Sequence, residues 1–255
     1  VTILTLSATG SEMDAGGVNT NLETPDKLGR MAAPMLPKVS FLDPTLTYTV
    51  SPYQTACGAA DMMSHILEVY FNLNEDLFML DSMMEAMLKT IVKFAPVAIA
   101  EPENYEARAN LMWCSSWAIN GFINGGRRKA WSCHPMEHEL SAIYDIAHGH
   151  GLAILTPRWM EYCLEESNAH RYVSLGVNVF GIDPKGEPMA IAKECIERMR
   201  EFMSVTLNLP YTFTEVGIKR EDFATMARKA CRYGAIRGFK TLEPQDVERI
   251  YEMCI

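Results

Sequence analysis

Four of the six histidines in this chain lie between residues 134 and 150: His134, His138, His148 and His150. A fifth, His65, follows Asp61 by four residues in the run A-A-D-M-M-S-H. On a helix that spacing puts carboxylate and imidazole on one face, about one turn apart. His134 and His138 repeat it. Three imidazoles and one carboxylate make a mixed nitrogen and oxygen donor set without thiolate. Such a set suits Fe(II) or Zn(II) and fits Ca(II) or Mg(II) poorly. Asp61, His65, His134 and His148 are therefore expected to converge on one divalent cation. A cation with room for a further ligand acts as a Lewis acid on an oxygen. The donor set leaves hydrolysis by an activated water and polarisation of an alcohol or carbonyl both open. Cys133 adjoins His134 but is turned about 100° from it on a helix, which sets it aside as a ligand. His150 is a second, weaker relay candidate.

The elements that must bring these side chains together are mostly helices. Ser51-Pro52 is a helix start, with serine as cap and proline in the first turn. Apolar residues then recur at helical spacing through Ile66, Leu67 and Tyr70. Further helices are expected over about 77–99, with Met79, Met83, Met84 and Met87 as core packing, and over 105–123. Ser132 is read as the cap of the helix that carries His134 and His138 to about Tyr144. Residues 145–151 read as a loop, with Gly149 and Gly151 for unusual backbone geometry. A helix over 152–164 with Pro157 predicting a kink or a late start follows. Others are expected over 167–180, 187–206, 219–233 and 244–254. Before residue 51 the texture differs. T-I-L-T-L at 2–6 and V-S-F-L-D-P at 39–44 read as short strands. Between them, S-A-T-G-S-E at 7–12 and D-A-G-G at 14–17 read as a loop offering hydroxyls and backbone N–H groups to an anionic ligand. The expected fold is mainly α: residues 1–50 as the tail of an α/β unit whose earlier strands are missing, and 51–255 as an all-helical domain.

Composition narrows the partners. The 255 residues, 48% hydrophobic and 22% charged, describe an ordinary globular chain with a large core. A net charge of −9 argues against nucleic acid, which needs a concentrated positive field. The dense basic run R-R-K at 127–129 is expected on a solvated loop. No apolar stretch reaches the length of a membrane span. Seven scattered cysteines with no C-x-x-C pair read as reduced thiols of a cytoplasmic protein.

The run T-L-S-A-T-G-S-E-M-D-A-G-G-V, then P-K-V-S-F-L-D-P-T-L-T-Y-T, A-A-D-M-M-S-H, E-P-E-N-Y-E-A-R-A-N-L-M-W, G-H-G-L-A-I-L-T-P and the closing D-V-E-R-I-Y resemble the iron-containing (group III) alcohol dehydrogenases. The likeness is to their NAD(P)H-dependent butanol dehydrogenase and aldehyde-reductase branch, and runs over essentially the whole chain. It implies the C-terminal helical domain of the dehydroquinate synthase-like fold, with 51–255 as the metal-binding catalytic domain and 1–50 as the remnant of an α/β nucleotide-binding domain, and hydride transfer between NADH or NADPH and a small aldehyde, such as butanal to butanol. Asp61, His65, His134 and His148 match the family's metal ligands, for Fe(II) or Zn(II), and His138 its non-ligand histidine beside the nicotinamide. Thr5, Thr9, Gly10 and Ser11 match positions that face the nucleotide. Asp14 stands where relatives often have asparagine, Lys27 matches a lysine near the cofactor, and Leu46 and Thr49 match a later contact segment. A homodimer is implied as well. The family's N-terminal Gly-Gly-Gly-Ser phosphate loop has no counterpart here, so the sequence reads as the later part of a longer polypeptide that is inactive without its earlier half. The rival readings are a glycerol-type polyol dehydrogenase on the same fold, a helical metallohydrolase, and a metal-stabilised helical module without activity.

Overall fold

Ser51 caps the first long helix as its type dictates, its Oγ accepting from the Gln54 N–H at 3.2 Å, with Pro52 in the first turn. In the computed structural model, which describes residues 1–72, 77–125 and 130–255, this is α1, Pro52–Tyr70. The basic run at 127–129 lies outside the described residues. Helices α2 (Phe78–Ala100), α3 (Tyr105–Ile119), α4 (Cys133–Tyr144) and α5 (His148–Cys163) follow. After them come α6 (Ala169–Phe180), α7 (Pro188–Glu201), α8 (Phe223–Ala230) and α9 (Pro244–Glu252). A five-residue π-helical turn, Phe202–Thr206, extends α7. Helix α1 is the centre of the fold: every residue from Thr55 to Tyr70 is buried, so it must be wrapped on all sides, and α2, α3 and α5 pack against it. Among the described residues no helix is long and apolar enough to cross a membrane.

Two small sheets precede the helices. Strands β1 (Thr2–Ile3) and β4 (Ser40–Phe41) pair in parallel, Thr2 opposite Ser40 and Ile3 opposite Phe41. Between them β2 (Gly16–Asn21) and β3 (Asp26–Met31) form an antiparallel hairpin. The strands expected over 2–6 and 39–44 are thus present but only two residues long. The hairpin was not expected at all. None of its residues is buried, so it carries no apolar alternation for a pattern reading to find.

Three local expectations change. Met79 is 64% exposed, while Met84 is fully buried and Met87 packs on the core, so the methionine run is only partly core. Ser132 makes no side-chain cap to α4; the Glu68 carboxylate from α1 takes the N–H groups of Ser132 and Cys133 instead, a negative group at a helix N-terminus. The loop expected over 145–151 ends at Ala147, and α5 begins on His148 and runs through Pro157. Gly149 is needed for proximity rather than for its backbone angles: a Cβ there would overlap the Cys57 carbonyl of α1. That close approach of α5 to α1 sets His148 beside Asp61.

Candidate metal centre

Helix α1 offers Asp61 and His65 from one face, a turn apart. Helix α4 adds His134 in its first turn, and α5 adds His148 as its first residue. The three imidazoles aim their Nε2 atoms at one carboxylate oxygen. Asp61 Oδ1 lies 3.4 Å from His65 Nε2, 3.8 Å from His134 Nε2 and 3.8 Å from His148 Nε2. The ligand atoms of Asp61, His134 and His148 all fall within 4.8 Å of one another. The His65 and His134 rings stack, centroids 4.8 Å apart, and Trp131 packs against both. Asp61, His65 and His134 are buried and His148 half-buried.

The residues fit a divalent cation. Asp61 Oδ1 is buried and receives no hydrogen bond, an arrangement that leaves a charge unsatisfied at substantial cost unless a cation meets it. Ligands about 2.1 Å from a shared ion, at near-tetrahedral angles, stand about 3.4 Å apart, close to the separations here. Two further carboxylates aim the rings. Glu68 accepts from His134 Nδ1, with Ser64 Oγ donating to it at 3.1 Å. Glu137 accepts from His148 Nδ1 and from Ser141 Oγ. A proton held on Nδ1 leaves the Nε2 lone pair facing inward, the arrangement that tunes metal-bound histidines. Neither glutamate was singled out from the sequence. For Glu68 the available signal was a lone acid between Leu67 and Val69 in an apolar helical run; Glu137, in Met-Glu-His-Glu, carries no such signal.

The electrostatics follow from burial. Burial pushes the Glu68 carboxyl up to about 7, against the N–H and O–H donors around it. Burial also opposes a charged His148, but the adjacent Glu137 and Asp61 together outweigh it and raise the group above its usual value. His138 goes the other way, lowered to about 2 by burial and then by His148, His134 and Lys27, so it stays neutral across the physiological range. Its ring lies 5.5 Å from that of His148 and 6.3 Å from that of His134. His150 points elsewhere: Nδ1 pairs with Tyr53 Oη at 3.1 Å and Nε2 with the Pro210 carbonyl at 2.8 Å. Its two ring nitrogens are thereby paired with groups outside the cluster. Cys133 is fully buried, its thiol held well above the usual range.

The nucleotide-facing candidates lie in the segment before α1. Thr5, Thr9, Ser11, Leu46 and Thr49 are exposed, Asp14 and Lys27 half-buried, and Gly10 buried. Gly10 adopts φ 64° and packs against Ser115 and Ile119 of α3, where a side chain would collide. Leu6 and Ser7 share a small cavity with Thr47 and Val50, so the two expected contact segments adjoin. Lys27 lies near enough to His138 and His148 to oppose their protonation. A larger cleft, about 610 Å³, is lined by Glu12, Lys38, Trp117, Asn120 and others but by none of the cluster residues.

Replacing one orienting carboxylate tests this arrangement. Glu137→Gln is expected to weaken metal affinity about 10–100-fold while leaving the ligand set complete. Competitive titration against a chelator reads the change; unaltered affinity would remove Glu137 from the centre.

Residues 55–255 match the C-terminal model of the Fe-containing alcohol dehydrogenase family. The chain is 50% identical to NADH-dependent butanol dehydrogenase A of Clostridium acetobutylicum, over 98% of its own length and 64% of the relative's. It is 33% identical to the NADPH-dependent aldehyde reductase YqhD of Escherichia coli, over 91% of its length and 59% of the relative's. The crystal structure of NADH-dependent butanol dehydrogenase A from Thermotoga maritima superposes with a TM-score of 0.92 at 35% identity, covering 99% of this chain and 65% of that one. The chain therefore spans less than two thirds of the length of these relatives, and its helical part is the helical domain of their fold. On the strength of that match, the chain belongs to the Fe-containing alcohol dehydrogenase family.

Proposed function

We propose that this chain, within a polypeptide of its relatives' length, serves a metal-dependent alcohol dehydrogenase and aldehyde reductase. The reaction moves a hydride between NADH or NADPH and a small aldehyde such as butanal. One observation carries the reading: three imidazole Nε2 atoms from three helices converge on a buried carboxylate oxygen that has no hydrogen-bond donor. Asp61, His65, His134 and His148 are the proposed ligands of Fe(II) or Zn(II), which when bound supplies Lewis acidity at the substrate oxygen. Glu68 and Glu137 hold two of the rings to that task. His138, neutral and beside the cluster, is assigned to line the hydride path or to pass a proton. Thr5, Thr9, Gly10, Ser11, Asp14, Lys27, Leu46 and Thr49 are assigned to the nicotinamide nucleotide, with residues 1–50 belonging to its binding domain and 51–255 to the metal. A homodimer in the cytoplasm completes the proposal. All seven cysteines are unpaired, as a reducing compartment permits.

The test is oxidation of NADH or NADPH with butanal by a polypeptide of the relatives' length. Turnover abolished by a chelator and restored by Fe(II) or Zn(II) is the expected result. A metal-loaded protein that binds no nicotinamide would favour a metallohydrolase or a structural module. Faster turnover of glycerol than of butanol would favour a polyol dehydrogenase.

A further inference from the structure

Lys229 and Arg232, at and just beyond the C-terminal end of α8, reach to the turn of the β2–β3 hairpin. Lys229 Nζ donates to the Pro25 carbonyl at 2.6 Å and lies 3.0 Å from Asp26 Oδ1, and Arg232 Nη1 meets the same oxygen at 3.0 Å. Both cations also face one carboxylate of α4. Arg232 Nη2 lies 2.5 Å from Glu139 Oε1, and Lys229 Nζ 3.4 Å from Glu139 Oε2. Glu139 is 2% exposed and follows His138 directly.

Isolated surface ion pairs contribute little. Here two cations share two carboxylates, one of them buried, so loss of either cation leaves a buried negative charge short of a partner. The hairpin they hold has no buried residue of its own, and a lone two-stranded hairpin is marginal in water. Lys27 follows Asp26 on β3, and successive side chains of a strand point to opposite faces. A fixed Asp26 therefore fixes the direction of Lys27, on a strand that packs against α4, the helix of His134 and His138.

We propose that Asp26, Glu139, Lys229 and Arg232 form a clamp that seats the β2–β3 hairpin on α4 and thereby places Lys27 for the nicotinamide cofactor. The four are positioning residues, and the part concerning the cofactor rests on the function proposed above.

The test compares Arg232→Gln, Lys27→Met and the double variant in a polypeptide of the relatives' length. KM for the nicotinamide cofactor is expected to rise about tenfold or more in each single variant. In Arg232→Gln, kcat at saturating cofactor and metal content stay within about twofold of the parent. The double variant is expected to be no worse than Lys27→Met alone, since coupled residues do not add. Arg232→Lys, which keeps the charge but not the two-pronged reach to Asp26 and Glu139, recovers only part of the loss. Amide hydrogen exchange over residues 16–31 should quicken in Arg232→Gln while residues 134–160 stay protected. If Arg232→Gln does not fold, Asp26→Asn on the hairpin reads the same quantities. Multiplying effects in the double variant overturn the proposal, as does unchanged exchange in the hairpin. Failure of the parent protein to bind any nicotinamide sinks the functional reading instead, whereas the exchange result decides the clamp whatever the protein binds.

Discussion

Asp61→Asn, made in a polypeptide of the relatives' length, should lose its bound metal and about a thousandfold or more in kcat/KM. The reason is charge. Asp61 is the one anion among the four proposed ligands, and the three imidazoles leave a divalent ion uncompensated without it. Lewis-acid stabilisation of developing charge is worth several kcal/mol, and about 4 kcal/mol corresponds to a thousandfold in rate. The same variant should leave the metal-free protein as stable as the parent or more so. Asp61 Oδ1 is buried with no donor, and an unsatisfied buried group costs ~1–3 kcal/mol, more when charged; an amide removes the charge and offers N–H groups to the surrounding Nε2 atoms. Thermal unfolding in chelator, beside metal analysis and steady-state kinetics, reads all three quantities. A metal-free variant much less stable than its parent would make Asp61 a structural residue, and retained metal would remove it from the ligand set.

His138→Ala should do the opposite at the metal. The ion stays bound, and turnover falls about 10²-fold, the scale of loss when a group that positions the reacting atoms is removed. His138 is held neutral by burial and by the surrounding His148, His134 and Lys27, so its removal changes no charge at the centre. Its ring nevertheless lies beside that of His148, and Glu137, His138 and His148 present ligand atoms within 4.8 Å of one another. Loss of metal in His138→Ala would move the ion toward that second group and make His138 a ligand. Metal content and kcat, measured on one preparation, separate the two.

The four proposed ligands were legible because helical spacing is a strong pattern. Asp61 and His65 stand one turn apart on α1, and a histidine cluster in a chain nearly free of histidine stands out against an apolar background. The helices were legible from apolar residues at helical spacing and from starts such as Ser51-Pro52, whose cap the structure contains. What escaped was whatever depends on contacts across the chain. Glu68 and Glu137 look like ordinary acids until α4 and α5 fold onto α1, and only then do they meet His134 and His148. Gly149 looked like a loop glycine because nothing local reports that the Cys57 carbonyl will lie against it. The β2–β3 hairpin, exposed on both faces, has no apolar period to detect, and its anchors Lys229 and Arg232 lie some two hundred residues further along. His150, two residues past His148, looked equally suited to the site. On a helix two residues means the opposite face, and it pairs with Tyr53 and Pro210 instead.

X-ray absorption at the metal edge of the metal-loaded protein tests the central claim most directly. Three imidazole nitrogens and one carboxylate oxygen at about 2.0–2.2 Å, with the imidazole signal reduced in a His65→Ala variant, is the expected result. Sulfur in the coordination sphere, or a spectrum indifferent to both His65→Ala and Asp61→Asn, would contradict it.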